Sequence, residues 1–296
     1  MNKLYAKPIA TFFCFLSIFL FYSTSHSISL TEIRARGELH HLGVPYAHFA
    51  NNDADGLDCV LIRRFAAYLG VTYKFIPTNW KDAIPDLIGM RPTPSGIDQP
   101  VTTIRGDILA NGLSMIPERR EYVIFSKPTF TTQIWLLAKP DADIVPILPT
   151  GNVEKDIKMT LAKTTGKTVF GIKDICIDVN LFPKLLEKAH TAINIPLHTL
   201  AQPISFLKSS YDIFLMESPS ALMALGMWPY SFKIIGPVAK QQNMGVAFAP
   251  DSLELRDEFN RFYTALWKSG EYQKLVNSYY PNSFQYFKKF FTKSSP

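Results

Sequence analysis

The stretch Asp107 to Phe130, D-I-L-A-N-G-L-S-M-I-P-E-R-R-E-Y-V-I-F-S-K-P-T-F, constrains this chain more than any other. An apolar run from Ile108 to Met115 predicts a buried strand, and Pro117 ends it. Glu118-Arg119-Arg120-Glu121 then start a short polar helix, because proline with an acid beside it suits a first helical turn. A second apolar strand begins near Tyr122. The strand end offers the N–H groups of Gly112 and its neighbours, and the Arg119 guanidinium stands a few residues on. Together they predict a place that holds a carboxylate.

With 296 residues, 47% of them apolar, the chain can bury one large core or two medium ones. Residues 1–27 read as a secretory signal: Lys3 and Lys7, an apolar run from Ile9 to Tyr22, then Ser25-His26-Ser27 as a small-x-small cleavage site. A membrane anchor is the rival reading, but the run falls short of the roughly 20 residues that span a bilayer. Cys14 lacks the Leu-Ala-Gly that would precede a lipidated cysteine, so the expectation is an exported protein in the periplasm. The net charge of +6 becomes +4 without Lys3 and Lys7, and Lys288, Lys289 and Lys293 of the tail supply three of those. A basic tail of this kind is expected to be solvated. No cluster of Lys and Arg interleaved with aromatics marks a nucleic-acid face. Cys59 and Cys176 remain after processing; they could pair in an oxidising compartment, yet two buried free thiols are expected.

Strands are expected at Leu39 to Val44 and Val71 to Ile76, with a helix from Cys59 to Leu69 between them, capped by Asp58 and ended by Gly70. Met90 to Ile104 is a Pro/Gly-rich surface insertion. Arg105-Gly106-Asp107 spells an adhesion tripeptide, but Asp107 opens a buried strand. Gly166-Lys167-Thr168 imitates a phosphate loop without its first glycine and before a strand, not a helix. His190 and His198 are isolated, and His40 and His41 point to opposite faces of one strand, so no metal site is predicted and no cofactor either. An amphipathic helix is expected from Phe182 to Ala189, a strand at Ile213 to Met216, another at Lys233 to Val238, and a helix from Leu253 to Lys268.

Several of these segments, taken in order, resemble the bacterial extracellular solute-binding proteins of family 3, the polar amino-acid receptors of ABC importers. G-L-S-M-I-P-E-R…V-I-F-S-K-P-T-F is similar to the family's G-M-T-I-T-P-E-R…V-D-F-S-x-P-Y, I-R-A-R-G-E-L to its lead-in, and G-E-Y-Q-K-L-V-N-S-Y-Y to its closing motif. The resemblance implies a ligand cleft lined by Tyr46 and Phe49 after the first strand, by Trp80 as a stacking wall, and by Gly112, Ser114 and Arg119 around a ligand carboxylate. In Y-D-I-F-L-M-E-S-P-S-A-L, Glu217 takes the place of the family's aspartate, which grips the ligand ammonium. Other readings stay open: Tyr46 and Phe49 as core, Trp80 as a helix cap packed inward, and Glu217 as a complement to a helix N-terminus.

One departure stands out. Relatives follow their V-G-V strand with a Gly-Ser or Gly-Thr pair that adds a second grip on the carboxylate, and this chain has G-I-K-D-I-C-I-D from Gly171. The resemblance further implies a two-lobed α/β fold of the type II periplasmic binding class, each lobe a mixed sheet flanked by helices and joined by two crossing strands. The first lobe would be 28–136 with 245–296, the second 137–244. The implied function is a monomeric, non-enzymatic receptor for a small zwitterion or carboxylate, served by an ABC permease or another inner-membrane protein. Two alternatives remain: a sensor or accessory protein, and a dehydratase-type enzyme with Glu217 as general acid. A lytic transglycosylase carrying such a receptor domain is not expected, because the sequence stops at residue 296.

Overall fold

The computed structural model describes residues 28–91, 99–100, 103–173, 176–195, 211–294 and 296. The expected signal 1–27, most of the insertion 90–104, and His198 lie outside the described residues.

Two five-stranded sheets with the same plan organise the chain. In the first, the order is Thr72–Pro77, Glu38–Gly43, Ile108–Leu109, Ala247–Phe248, Ile124–Phe125. In the second it is Thr191–Ile195, Thr168–Ile172, Ile213–Glu217, Ile134–Ala138, Lys233–Pro237. Three parallel strands in each meet a fourth that runs antiparallel to both its neighbours. The fourth strands are those that arrive from the other half of the chain. Between the sheets, Phe130–Thr132 pairs antiparallel with Gln242–Met244, so the two crossing segments are hydrogen-bonded to each other. Strands covered on both faces read as unbroken apolar runs; Ile134–Ala138 is buried throughout, and so is Ile213–Met216.

The predicted strand from Ile108 to Met115 is shorter than the apolar run suggests. It stops at Leu109, because Gly112 turns the backbone with φ 68°. A β-carbon there would lie 2.3 Å from the Phe49 ring, so only glycine lets that ring pack against the turn. The Gly112 N–H donates to Asp58 Oδ2 at 2.6 Å. Asp58 is therefore no helix cap: the helix Leu57–Leu69 begins after Gly56, and Asp58 sits inside its first turn, buried, tying helix to strand end. Burial pushes the Asp58 carboxyl up to about 7, against the pull of the Gly112 N–H. Both cysteines among the described residues are free; Cys59 is buried as expected, whereas Cys176 is exposed.

The tail is not simply solvated. Short helices Ser283–Tyr286 and Lys288–Phe291 bury Phe287, Phe290 and Phe291. Tyr286 and Phe287 lie on Trp135 with ring centroids 4.9 and 5.8 Å away, and Phe291 meets Phe130 at 5.7 Å. Trp135 belongs to the second sheet and Phe130 to the crossing pair, so the tail packs where the chain passes between sheets. Phe182 to Ala189 also departs from expectation, since only Pro183–Leu186 is helical after a single 3-10 turn at Val179–Leu181.

Two predictions follow from this packing. Phe287, 1% exposed, should cost about 3–5 kcal/mol of stability as Phe287→Ala, read from denaturant midpoints, whereas Lys289→Ala should cost almost nothing. Because the folded Asp58 carboxyl binds its proton more tightly than the unfolded one, stability attributable to it is present at pH 4 and lost as pH rises toward 7. Asp58→Asn, which keeps an acceptor for Gly112, should flatten that fall in a pH series of unfolding curves.

Candidate functional site

Phe49 is 0% exposed and presents no face to a ligand. The expectation that it lines the cleft is corrected on that point: its ring is pinned by Gly112 beneath and stacks on Tyr46 above, with centroids 6.0 Å apart and planes 12° from parallel. Gly112 is corrected likewise, because Asp58 already takes its N–H. Both residues build the floor of the site. Tyr46 is half-buried and meets Trp80 edge-on at 5.7 Å. Trp80 does not pack inward; it is 49% exposed.

Arg119 follows from the short helix Pro117–Arg120, set down by the strand end before it. Its Nη1 donates to the Ser114 carbonyl at 3.0 Å, and its Cζ lies 5.9 Å from the Trp80 ring centroid. Ser114 thus contributes a backbone oxygen that aims the guanidinium, while stacking on an aromatic face holds its plane. Burial lowers the Arg119 pKa, and nearby acidic groups, Glu217 first, oppose that effect.

Glu217 ends its strand as the residue before the helix Ser218–Met227. Its Oε2 accepts from the Tyr46 hydroxyl and from the Cys176 thiol at 3.6 Å. Its Oε1 accepts from the Thr132 hydroxyl at 3.0 Å. Burial raises the Glu217 pKa, while the bonds from Tyr46, Thr132 and Cys176, and the charge of Arg119, hold it down. Arg119 and Glu217 each favour the other's charged form through space. No direct ion pair joins them among the described residues. Although Cys176 as a residue is exposed, its thiol lies among protein atoms beside Glu217, and desolvation there with the Glu217 carboxylate pushes it above its usual range, which keeps it a hydrogen-bond donor and a poor nucleophile.

Tyr46, Trp80, Ser114, Arg119 and Glu217 therefore form one connected cluster, with Phe49 and Gly112 directly behind it. Two members were not foreseen. Thr132 carries no signal beyond its place in the crossing strand, and Cys176 sits where the Gly-Ser or Gly-Thr pair is missing. Among the described residues no group of three or more His, Cys, Asp and Glu side chains could hold a metal ion. Nor is any described helix long and apolar enough to cross a membrane.

The chain is similar over 226 residues, at 25% identity, to the membrane-bound lytic murein transglycosylase F of Desulfosudis oleivorans; the match covers 76% of this chain and 44% of that protein. Among solved structures, an ancestral cationic amino acid solute binding protein superposes with a TM-score of 0.62 at 24% identity, covering 85% of this chain and 99% of the other. A substrate binding protein of an ABC uptake transporter from Streptococcus pneumoniae, with bound histidine, gives 0.62 at 18% identity, covering 86% and 96%. The fold is the two-lobed type II periplasmic binding architecture. The model of the bacterial extracellular solute-binding proteins, family 3, matches residues 41–282, and the chain belongs to that family.

Proposed function

We propose that this protein is an exported receptor that closes around a small, amino-acid-like zwitterion and passes it to an ABC permease. The observation that carries the reading is that Arg119, on the helix between two strands of the first sheet, and Glu217, at the end of a strand of the second, belong to a single aromatic-walled cluster. Arg119 takes the ligand carboxylate, Glu217 its cationic group, and Trp80 with Tyr46 forms the wall. The lobes of this reading are 28–136 with 245–296, and 137–244, and the leader 1–27 is removed on export. The protein works as a monomer. Each lobe alone grips one pole weakly; closing excludes water and strengthens both charge interactions. The two structural neighbours, one named for cationic amino acids and one holding histidine, make L-arginine and L-histidine the first solutes to try.

A receptor module that senses a solute for a larger assembly is the second reading. It is supported by the transglycosylase relative, of which this chain matches 44%, and by the altered segment around Cys176. An enzymatic role for Glu217 as an acid would require a second acid–base group on the cluster; Arg119 and Tyr46 are ill suited to it at neutral pH.

Arg119→Ala leaves a bound carboxylate unpaired and should weaken binding of the solute found in a thermal-shift screen by about 3–5 kcal/mol, more than a hundredfold. Trp80→Ala should cost about tenfold or less, since ring stacking contributes ~0.5–1.5 kcal/mol. Isothermal titration decides the ordering: an Arg119→Ala protein that binds as tightly as wild type removes the proposed role.

A further inference from the structure

Glu217 is crowded for a residue that grips a ligand. A carboxylate offers about four lone-pair sites, and three are taken by Tyr46, Thr132 and Cys176. These donors differ in origin. Thr132 is buried on the crossing strand, with its Oγ1 also 3.4 Å from Ser218 Oγ, so it stays with Glu217. Cys176 follows the second-sheet strand Thr168–Ile172 and is a weak sulfur donor. Tyr46 alone comes from the first sheet, three residues beyond the strand Glu38–Gly43.

The Tyr46 hydroxyl is also firmly aimed. The Tyr46 N–H donates to the Ala50 carbonyl at 3.0 Å and the Tyr46 carbonyl accepts from the Phe49 N–H at 3.1 Å, closing a tight loop in which Ala47 has φ 46°. Its ring is held flat on Phe49 and edge-on against Trp80. Phe49 in turn cannot move without the Gly112 turn. The phenol thus reaches the opposite lobe at the carboxylate oxygen that a cationic ligand group would use.

We propose that Tyr46 is a specificity-determining latch: its hydroxyl holds the lobes together through Glu217 and must be displaced by the cationic group of a bound solute. The proposal rests on the receptor reading for the word solute, but the latch itself is a property of the protein alone. A primary ammonium or a guanidinium can displace a neutral phenol from a carboxylate, because it adds the attraction of a full counter-charge, which is strong where water is excluded. A carboxylate lacking a cationic group leaves the Tyr46–Glu217 bond intact and is held by Arg119 only. The competition therefore turns away neutral donors such as an amide or a hydroxyl from Glu217 and admits a cation, at a cost in the cation's own affinity.

The test compares wild type, Tyr46→Phe and Glu217→Ala, each verified as folded by circular dichroism. Small-angle scattering without added solute is the first readout. Both variants should show a larger radius of gyration than wild type, because the bond between lobes is gone while the Tyr46 ring packing is kept in the first variant; identical radii overturn the latch. Titration with L-arginine is the second. Tyr46→Phe should bind it about tenfold tighter than wild type, and weaker binding by this variant overturns the competition. If wild type binds neither L-arginine nor L-histidine, the solute class is wrong, and the scattering comparison still decides the latch.

Discussion

The contact between the Phe49 ring and the Gly112 backbone is the constraint on which the site depends. It demands a residue without a β-carbon at a left-handed position, and it brings three distant pieces of chain to one point: the loop after the first strand, the end of the Ile108–Leu109 strand, and the helix that carries Asp58. Asp58 completes the joint by taking the one N–H that the turn would otherwise leave buried without a partner. The cost is a carboxyl in an apolar place, whose proton affinity rises accordingly. Everything exposed in the cluster, Tyr46 first and Trp80 beside it, rests on that floor.

The second constraint is electrostatic. Arg119 and Glu217 are both withdrawn from water and form no ion pair with each other, so each sits in surroundings that disfavour its charged form. Neutral donors compensate Glu217, a carbonyl and an aromatic face compensate Arg119, and neither arrangement neutralises the charge itself. A dipolar guest between them would supply both missing counter-charges at once, and closing around it would strengthen both attractions. Under the proposed receptor role, such a guest would be held at both ends without the missing Gly-Ser or Gly-Thr pair.

Legibility in the sequence followed the range of the interactions. Apolar periodicity located the strand Ile213–Glu217 and the helix Leu253–Lys268, because those patterns are written within the element. The charged poles were readable through motifs whose residues are neighbours in sequence, Pro117-Glu118-Arg119 and Glu217-Ser218-Pro219. Contacts between remote positions were not. Asp58 looked like a cap because its partner lies 54 residues away, Ile108 to Met115 looked like a full strand because the turn is set by Phe49, and Phe49 looked like cleft lining because nothing local says what covers it. Thr132 and Cys176 joined the cluster only through the crossing of the two sheets.

The tail carries the same lesson into the motion. Tyr286, Phe287 and Phe291 are spaced to put rings on one side of two short helices, and they pack on Trp135 and Phe130, on and beside the segment that any opening of the lobes must bend. The Trp267 indole N–H donates to the Lys293 carbonyl, fixing the end of the tail to the helix Leu253–Lys268. Bending the crossing strands would therefore disturb an aromatic stack. A packed stack has discrete arrangements and resists continuous deformation, so on the two-lobed reading the tail rings would favour a small number of distinct lobe positions over a freely swinging hinge.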